Sequence, residues 1–229
     1  METVSMNIIA RMRSDFPEKF GIPRQSGMVN ELESTIVFEP EYRNKDALRG
    51  LEDFSHLWII WQFSKAVRTE WSPTVRPPRL GGNTRIGVFA TRSPFRPNHM
   101  GLSSVKILGL EHTEQFGTVI RVAGADLMDS TPIFDIKPYI PYCDSHPEAT
   151  GGFTDNAGDF ILKVEISPDL LAKFPEEKHG ALIDLLSHDP RPSYQQDADR
   201  IYGLSFSGYN IRFTVNDGVL VVKTIEKQH

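Results

Sequence analysis

Residues 54–63 read Phe54-Ser55-His56-Leu57-Trp58-Ile59-Ile60-Trp61-Gln62-Phe63. The run is too aromatic and too continuous for a surface element, and we read it as a central strand buried on both faces. His56 inside it is read as a core residue donating a hydrogen bond. Around this strand the chain alternates short apolar runs with turn signals. Residues 6–13 open as a strand, and residues 33–39 follow with Ile36, Val37 and Phe38. Residues 102–110 and 118–124 pair as antiparallel strands around the turn at 111–117, and residues 134–139 resume an extended path after an acidic turn. With hardly any amphipathic helix before residue 140, the pattern points to a β-barrel or sandwich, and barrel closure is attractive because it leaves no exposed edge.

The texture changes after residue 140. Residues 141–159, rich in Pro, Gly, Asp and His, read as a linker. Residues 160–166 read as a strand, and 169–187 carry the helical spacing of Leu170, Leu171, Phe174, Leu182, Leu185 and Leu186. Two closing strands, 211–215 and 219–225, flank Asn216-Asp217-Gly218, a hairpin turn because Asp-Gly tolerates positive φ. The expected organisation is a β-rich domain over residues 1–145, a linker over 146–159 and a small α+β domain over 160–229.

The chain has 229 residues, enough to bury a sizeable core, and its 39% hydrophobic and 24% charged residues describe an ordinary globular protein. No apolar run of about 18 residues suggests a membrane span, and no basic segment followed by an apolar stretch suggests a signal peptide, so a cytoplasmic protein is expected. The lone Cys143 excludes an internal disulfide and a cysteine-rich zinc site. Charge is unevenly spread. Residues 65–106 carry eight basic side chains against Glu70 alone, a net +7 that leaves −12 for the rest of a chain whose formal charge is −5. A protein that meets phosphate with one face and stays soluble through the others has this footprint.

Within that basic segment, residues 72–83 form a long irregular loop with Pro73, Pro77, Pro78, Gly81, Gly82, Arg76 and Arg79. Residues 86–102, Ile-Gly-Val-Phe-Ala-Thr-Arg-Ser-Pro-Phe-Arg-Pro-Asn-His-Met-Gly-Leu, begin as a strand over 86–91 and break into a loop where Arg92 and Arg96 alternate with Pro94 and Pro97. Proline fixes φ and extends the residue before it, so this loop is stiff as well as cationic. It reads either as a surface turn that carries arginines or as a pre-organised site for an anionic or planar ligand. The device recurs in His188-Asp189-Pro190-Arg191-Pro192-Ser193-Tyr194.

No dinucleotide fingerprint, phosphate loop, zinc-protease motif or nucleophile elbow is present. Acids and bases gather at Asp126, Asp129, Asp135, Lys137 and Tyr139. They could be a proton-transfer site, a metal site or turn residues capping backbone amides. Residue chemistry alone names no catalytic group.

Five motifs extend the reading. Pro23-Arg24-Gln25, Leu51-Glu52-Asp53-Phe54-Ser55-His56-Leu57-Trp58, Pro77-Pro78-Arg79-Leu80-Gly81-Gly82, Gly87-Val88-Phe89-Ala90-Thr91-Arg92-Ser93-Pro94-Phe95-Arg96-Pro97-Asn98 and Asp135-Ile136-Lys137-Pro138-Tyr139 together resemble the TsaA/TrmO family, S-adenosylmethionine-dependent tRNA methyltransferases. The resemblance runs from about residue 6 to 145, and the Asp189-Pro190-Arg191-Pro192-x-Tyr194 loop is similar to the family's bacterial C-terminal extension. It implies a mainly β fold, a single-sheeted antiparallel β-barrel with a small α+β C-terminal domain, that forms a homodimer. It implies transfer of a methyl group to N6 of threonylcarbamoyl-adenosine beside the anticodon, with tRNA as partner and neither metal nor membrane. Carried over by motif, cofactor contacts fall on Gln25, Ser26, Gly27, Ser64, Lys65, Arg92, Leu102, Ala123, Gly124, Ala125 and Asp126. Relatives often have His-Gln where this chain has Ser64-Lys65. RNA contacts are expected at Arg76, Arg79, Arg96, Arg191 and Tyr194. The rival readings are a non-catalytic RNA-binding barrel and a metal-dependent hydrolase built on His56, Asp126, Asp129 and Asp135.

Overall fold

The computed structural model describes residues 2–67, 70–80, 83–155, 161–191 and 197–228, without the side chain of Arg79. Tyr194 and Phe160 lie outside the described residues. The strands are β1 (Ala10–Arg13), β2 (Glu33–Phe38), β3 (His56–Gln62), β4 (Thr74–Val75), β5 (Ile86–Gly87), β6 (Met100–Thr113), β7 (Gly117–Ala123), β8 (Pro132–Pro138), β9 (Lys163–Glu165), β10 (Tyr202–Phe206), β11 (Tyr209–Asn216) and β12 (Val219–Lys227). The helices are α1 (Pro141–Asp144), α2 (Pro168–Leu171) and α3 (His179–Ser187). Among the described residues, no helix is long and apolar enough to cross a membrane.

Strands β1-β2-β7-β6-β3-β8 pair in that order, and β8 returns to β1 through Ala10↔Ile133, which closes the sheet into a barrel. The fold is mainly β, but it is not single-sheeted. A short β4–β5 sheet and a four-stranded sheet, β10-β11-β12-β9, stand beside the barrel. In that second sheet β9 runs parallel to β12, so the C-terminal unit joins β9 to the hairpin strands through α2 and α3. The hairpin itself turns at Asp217 and Gly218, both at positive φ, as the Asp-Gly pair requires.

Strand β3 corrects its sequence reading. Leu57, Ile59 and Trp61 are inside the barrel, at 0%, 0% and 7% exposed. Trp58 and Ile60 face outward and are half-buried, because a barrel wall has one inner face and its outer face is covered only where other segments lie on it. The cover here is Tyr139, 5.5 Å from the Trp58 ring, and Asp144 in α1, which accepts a hydrogen bond from Trp58 Nε1 at 3.0 Å. The expected linker is therefore anchored to the barrel at its start. Residues 86–91 hold a strand only at Ile86 and Gly87 before a 3-10 turn at Val88–Ala90. The helical run at 169–187 is likewise broken, with Phe174 and Pro175 between α2 and the turn leading into α3, where proline removes the donor a continuous helix needs.

Two apolar cores organise the chain. One fills the barrel around Met12, Ile36, Leu57, Ile59, Val105, Ile120 and Ile133. The other lies under the C-terminal sheet, yet Phe16, Val29 and Leu32 belong to it, with Phe20, Ile22 and Met28 packed against it. The segment between β1 and β2 is thus carried on the C-terminal core. Phe16 sits 5.2 Å from the Phe206 ring, and Lys178 Nζ donates to both Asp15 carboxylate oxygens at 2.7 Å. A Phe16→Ala variant should lose about 3–5 kcal/mol of unfolding free energy in urea and speed amide exchange over residues 25–27. Unchanged exchange there would show that the C-terminal core does not hold this segment.

Candidate functional site

Strand β6 is longer than the strand that covers its second edge. β7 follows it from Thr113↔Gly117 to Lys106↔Ala123 and then leaves. From residue 105 back to Met100, β6 pairs with β3 on one side and, among the described residues, with no strand on the other. An unpaired edge presents main-chain donors and acceptors that need partners. Two loops meet at this gap.

The first is the turn after β7. Gly124 takes φ +76°, donates its N–H to the Leu32 carbonyl at 2.9 Å, and accepts from Gly27 N–H at 2.9 Å. A Cβ on Gly124 would stand 3.3 Å from the Gly27 main chain, so the close approach as well as the positive φ calls for glycine. The second is the loop Gln25 to Gly27. Ser26 Oγ accepts from Ser104 N–H at 3.2 Å and so caps one donor of the open edge. In an extended strand, main-chain groups alternate sides, so Leu102 turns its N–H and C=O toward the same edge as Ser104.

Asp126 lies at the centre. Ser103 Oγ donates to its Oδ1 at 2.5 Å, and Trp61 Nε1 donates to Ser103 Oγ at 2.9 Å, so a hydrogen-bonded chain runs from the barrel interior to the carboxylate. Burial pushes the Asp126 carboxyl up, while the Ser103 hydroxyl, main-chain amides and the Arg92 charge pull it back less strongly. Arg92 Nη1 donates to Gln25 Oε1, which ties the proline-braced loop to the Gln25 loop. A cleft of about 460 Å³ adjoins the gap, lined by Gly27, Asn30, His56, Ser104, Lys106, Leu108 and Ala123. Its volume is in the range of small-ligand sites, about 300–1,000 Å³.

The structure therefore brings together Gln25, Ser26, Gly27, Arg92, Gly124 and Asp126 of the expected cofactor set. Ala123 and Ala125 are buried and offer main chain. Leu102 is 57% exposed, its side chain on the face of β6 opposite Ser103, so its share is also main chain. Ser64 and Lys65 are exposed in the turn after β3, where Phe63 N–H donates to His99 carbonyl at 2.9 Å and Gln62 pairs with Met100. They lie at the far end of the open edge, beside the Gln62↔Met100 pair.

The expected RNA residues divide differently. Arg76 is exposed after β4. Arg96 is half-buried and donates to the Thr91 carbonyl at 3.1 Å, bracing its own loop. Arg191 is turned inward. Its guanidinium meets both Asp189 carboxylate oxygens at 2.8 and 2.9 Å, lies 5.7 Å from the Tyr202 ring, and is 12% exposed. What the Asp189–Arg191 loop offers outward is main chain, since Arg24 Nη2 donates to the Arg191 carbonyl at 3.2 Å beside the Gln25 loop.

His56, Asp126, Asp129 and Asp135 do not converge, and no group of three or more His, Cys, Asp or Glu among the described residues is placed to hold a metal. Asp129 accepts from Ser14 N–H at 3.2 Å and pairs with Arg13, which is the turn reading, and Asp135 pairs with Lys137 at 2.9 Å. His56 meets Ser55 Oγ at 2.9 Å beside the cleft. Sequence reading missed Ser103, Ser104 and Trp61. The available signal was a serine pair beside apolar residues in a strand.

A family model described as the tRNA-methyltransferase O N-terminal domain matches residues 11–145, and the TrmO C-terminal domain model matches residues 161–228. A tRNA (adenine(37)-N6)-methyltransferase from Escherichia coli is 37% identical over 236 residues, covering 99% of each chain. A relative from Pseudomonas aeruginosa, named "Putative S-adenosylmethionine-dependent methyltransferase RcsF", is 39% identical over 212 residues, covering 88% of each chain. Crystal structures of TrmO from Pseudomonas aeruginosa superpose with TM-scores of 0.81 and 0.78 at 31% and 29% identity, covering 99% and 98% of this chain and 98% and 99% of theirs.

The Asp126 environment is open to direct measurement. Because its folded pKa is raised, Asp126 favours the fold below its unfolded pKa and loses that contribution as pH rises through the folded value. A carboxyl-carbon NMR titration should place its midpoint above that of an ordinary aspartate, and Ser103→Ala should move it higher still. A midpoint at or below the ordinary value would contradict the hydrogen-bonded, desolvated placement.

Proposed function

The chain belongs to the TrmO family and is an S-adenosylmethionine-dependent tRNA (adenine-N6)-methyltransferase, and from that premise we propose that its cofactor seats in the gap along β6 and its target is threonylcarbamoyl-adenosine beside the anticodon. The observation that carries the placement is the unpaired β6 edge, closed by Gln25–Gly27 on one side and Gly124–Asp126 on the other. The donor set suits the ligand. Main-chain groups at Leu102 can read the edge of a purine, and the Asp126 carboxylate and Gln25 amide can take hydroxyl or ammonium groups.

S-adenosylmethionine supplies an electrophilic methyl group on a sulfonium. The chain's own part is to orient and exclude water, because transfer to an amine-type nitrogen needs in-line positioning more than a nucleophilic side chain. Arg92 and Gln25 fix the loop wall, Trp61 and Ser103 fix Asp126, and Gly27 against Gly124 closes the floor without side chains between them. Ser64 and Lys65 then act at the far end of the edge. The basic segment from residue 65 to 106, with Arg76 and Arg79, meets the tRNA backbone, and the base comes from a single-stranded loop where its edges are available. Arg96 and Arg191 support this by holding their own loops.

Three finer readings belong to the same proposal. The barrel over 1–145 and the α+β unit over 160–229 act as two domains joined by 146–159. The enzyme works in the cytoplasm. It forms a homodimer through the outer face of β6, where Met100, Leu102 and Leu108 are 36%, 57% and 39% exposed.

Calorimetric titration with S-adenosylmethionine, followed by methylation assays on tRNA with and without the threonylcarbamoyl group, tests the reading. The wild type should bind the cofactor and methylate the modified tRNA. Arg92→Ala should bind it at least tenfold more weakly, equivalent to about 1.4 kcal/mol. Binding of tRNA without affinity for the cofactor would support a non-catalytic RNA-binding barrel instead, and activity abolished by a chelator would support the hydrolase.

A further inference from the structure

The segments that precede β4 and follow β5 hold two aromatic rings in solvent. Trp71 is 53% exposed and Phe89 is 71% exposed, and their ring centroids lie 6.2 Å apart with planes inclined 30°, a stacked pair. Neither ring belongs to either apolar core. Large aromatic side chains held out of the core and together mark an interaction surface.

The pair stands on a built scaffold. β4 pairs with β5 through Thr74↔Gly87 and Val75↔Ile86, and Val88 N–H donates to the Pro73 carbonyl at 2.9 Å. Val88 is 1% exposed and anchors the 3-10 turn, so its neighbour Phe89 is turned outward. On the other strand Ser72 Oγ donates to the Thr74 carbonyl at 2.8 Å, which fixes the approach from Trp71. Exposed arginines flank the scaffold: Arg76 after β4 and Arg85 before β5. Arg85 donates to Thr74 Oγ1 at 3.2 Å and is thereby held to the same unit. Glu70 is the one acid between residues 65 and 106.

We propose that Trp71 and Phe89 form a stacking platform for unpaired bases of the substrate RNA, with the neighbouring arginines on its phosphates. The proposal rests on the tRNA reading above and adds where an exposed base lands. An aromatic pair without cations would suit an apolar partner, and cations without rings would suit any polyanion. The combination suits single-stranded nucleic acid, in which each base offers a π-face and each linkage a charge. Duplex RNA hides its bases and should not use the platform.

The test compares wild type with Trp71→Ala, Phe89→Ala and Trp71→Phe, using tRNA, an isolated anticodon stem-loop and a fully paired RNA duplex. Both alanine variants should bind tRNA and the stem-loop about ten- to a hundredfold more weakly, the range of one base stack, and raise KM for tRNA with kcat little changed. Duplex binding, cofactor affinity and thermal unfolding should stay at wild-type values, and Trp71→Phe should recover most of the loss. The salt dependence should keep its slope in these variants, whereas Arg76→Ala should reduce the slope by about 1. Trp58 and Trp61 are half-buried and buried, so quenching of tryptophan emission by the stem-loop should largely vanish in Trp71→Phe. Normal tRNA affinity and KM in both alanine variants would overturn the platform while leaving the methyltransferase reading intact. A wild type that neither binds nor methylates tRNA would overturn both.

Discussion

The interaction on which the site depends is the early departure of β7 from β6. A barrel strand whose partner runs the full length has no free main chain to offer, whereas β6 keeps an uncovered edge from residue 105 back to Met100. Leaving such an edge bare in water invites association with any extended segment. The chain caps it with a side chain, Ser26 Oγ on Ser104 N–H, instead of a seventh strand. That choice leaves Leu102 main chain within reach of a small ligand and sets Asp126 against Ser103. The proposed binding chemistry rests on this incomplete ladder.

A consequence is that neither half of the chain makes the site alone. The barrel supplies β6, Trp61 and the turn at Gly124 to Asp126, but the Gln25 loop lies in a segment whose apolar residues pack into the C-terminal core. The Asp189–Arg191 loop adds a second tie through Arg24. Its half-buried ion pair acts chiefly through geometry: a bidentate Arg–carboxylate fork fixes the loop whose carbonyls accept from Arg24. Charge is uneven along the chain as well, with a net +7 over residues 65–106 and −12 over the rest.

Much of this was legible from residue types. The period-2 runs gave strands β2, β6, β7 and β8 nearly in place, and Asp217-Gly218 gave its hairpin, because those signals are local. β3 was located but misjudged, since aromatic density cannot tell a strand buried on both faces from a barrel strand whose outer face is covered by Tyr139 and α1. β10 was overlooked although Tyr202, Leu204 and Phe206 alternate inward, a pattern diluted by Gly203 and Ser205. In the site, motif resemblance placed Gln25, Arg92 and Asp126, but their convergence depends on contacts across 67 residues of chain that no local pattern carries. Arg191 shows what residue type leaves out. An arginine between prolines looks like a presented charge, and only the structure shows its guanidinium closed on Asp189.

The most direct test of the central claim is amide hydrogen exchange with and without S-adenosylmethionine. If the incomplete β6 ladder is the cofactor site, protection on binding should appear together at residues 25–27, at Leu102 and at 123–126, with the interior of β11 and β12 unchanged. Protection confined to other segments, leaving Leu102 and the Gln25 loop exchanging at the same rate, would contradict it.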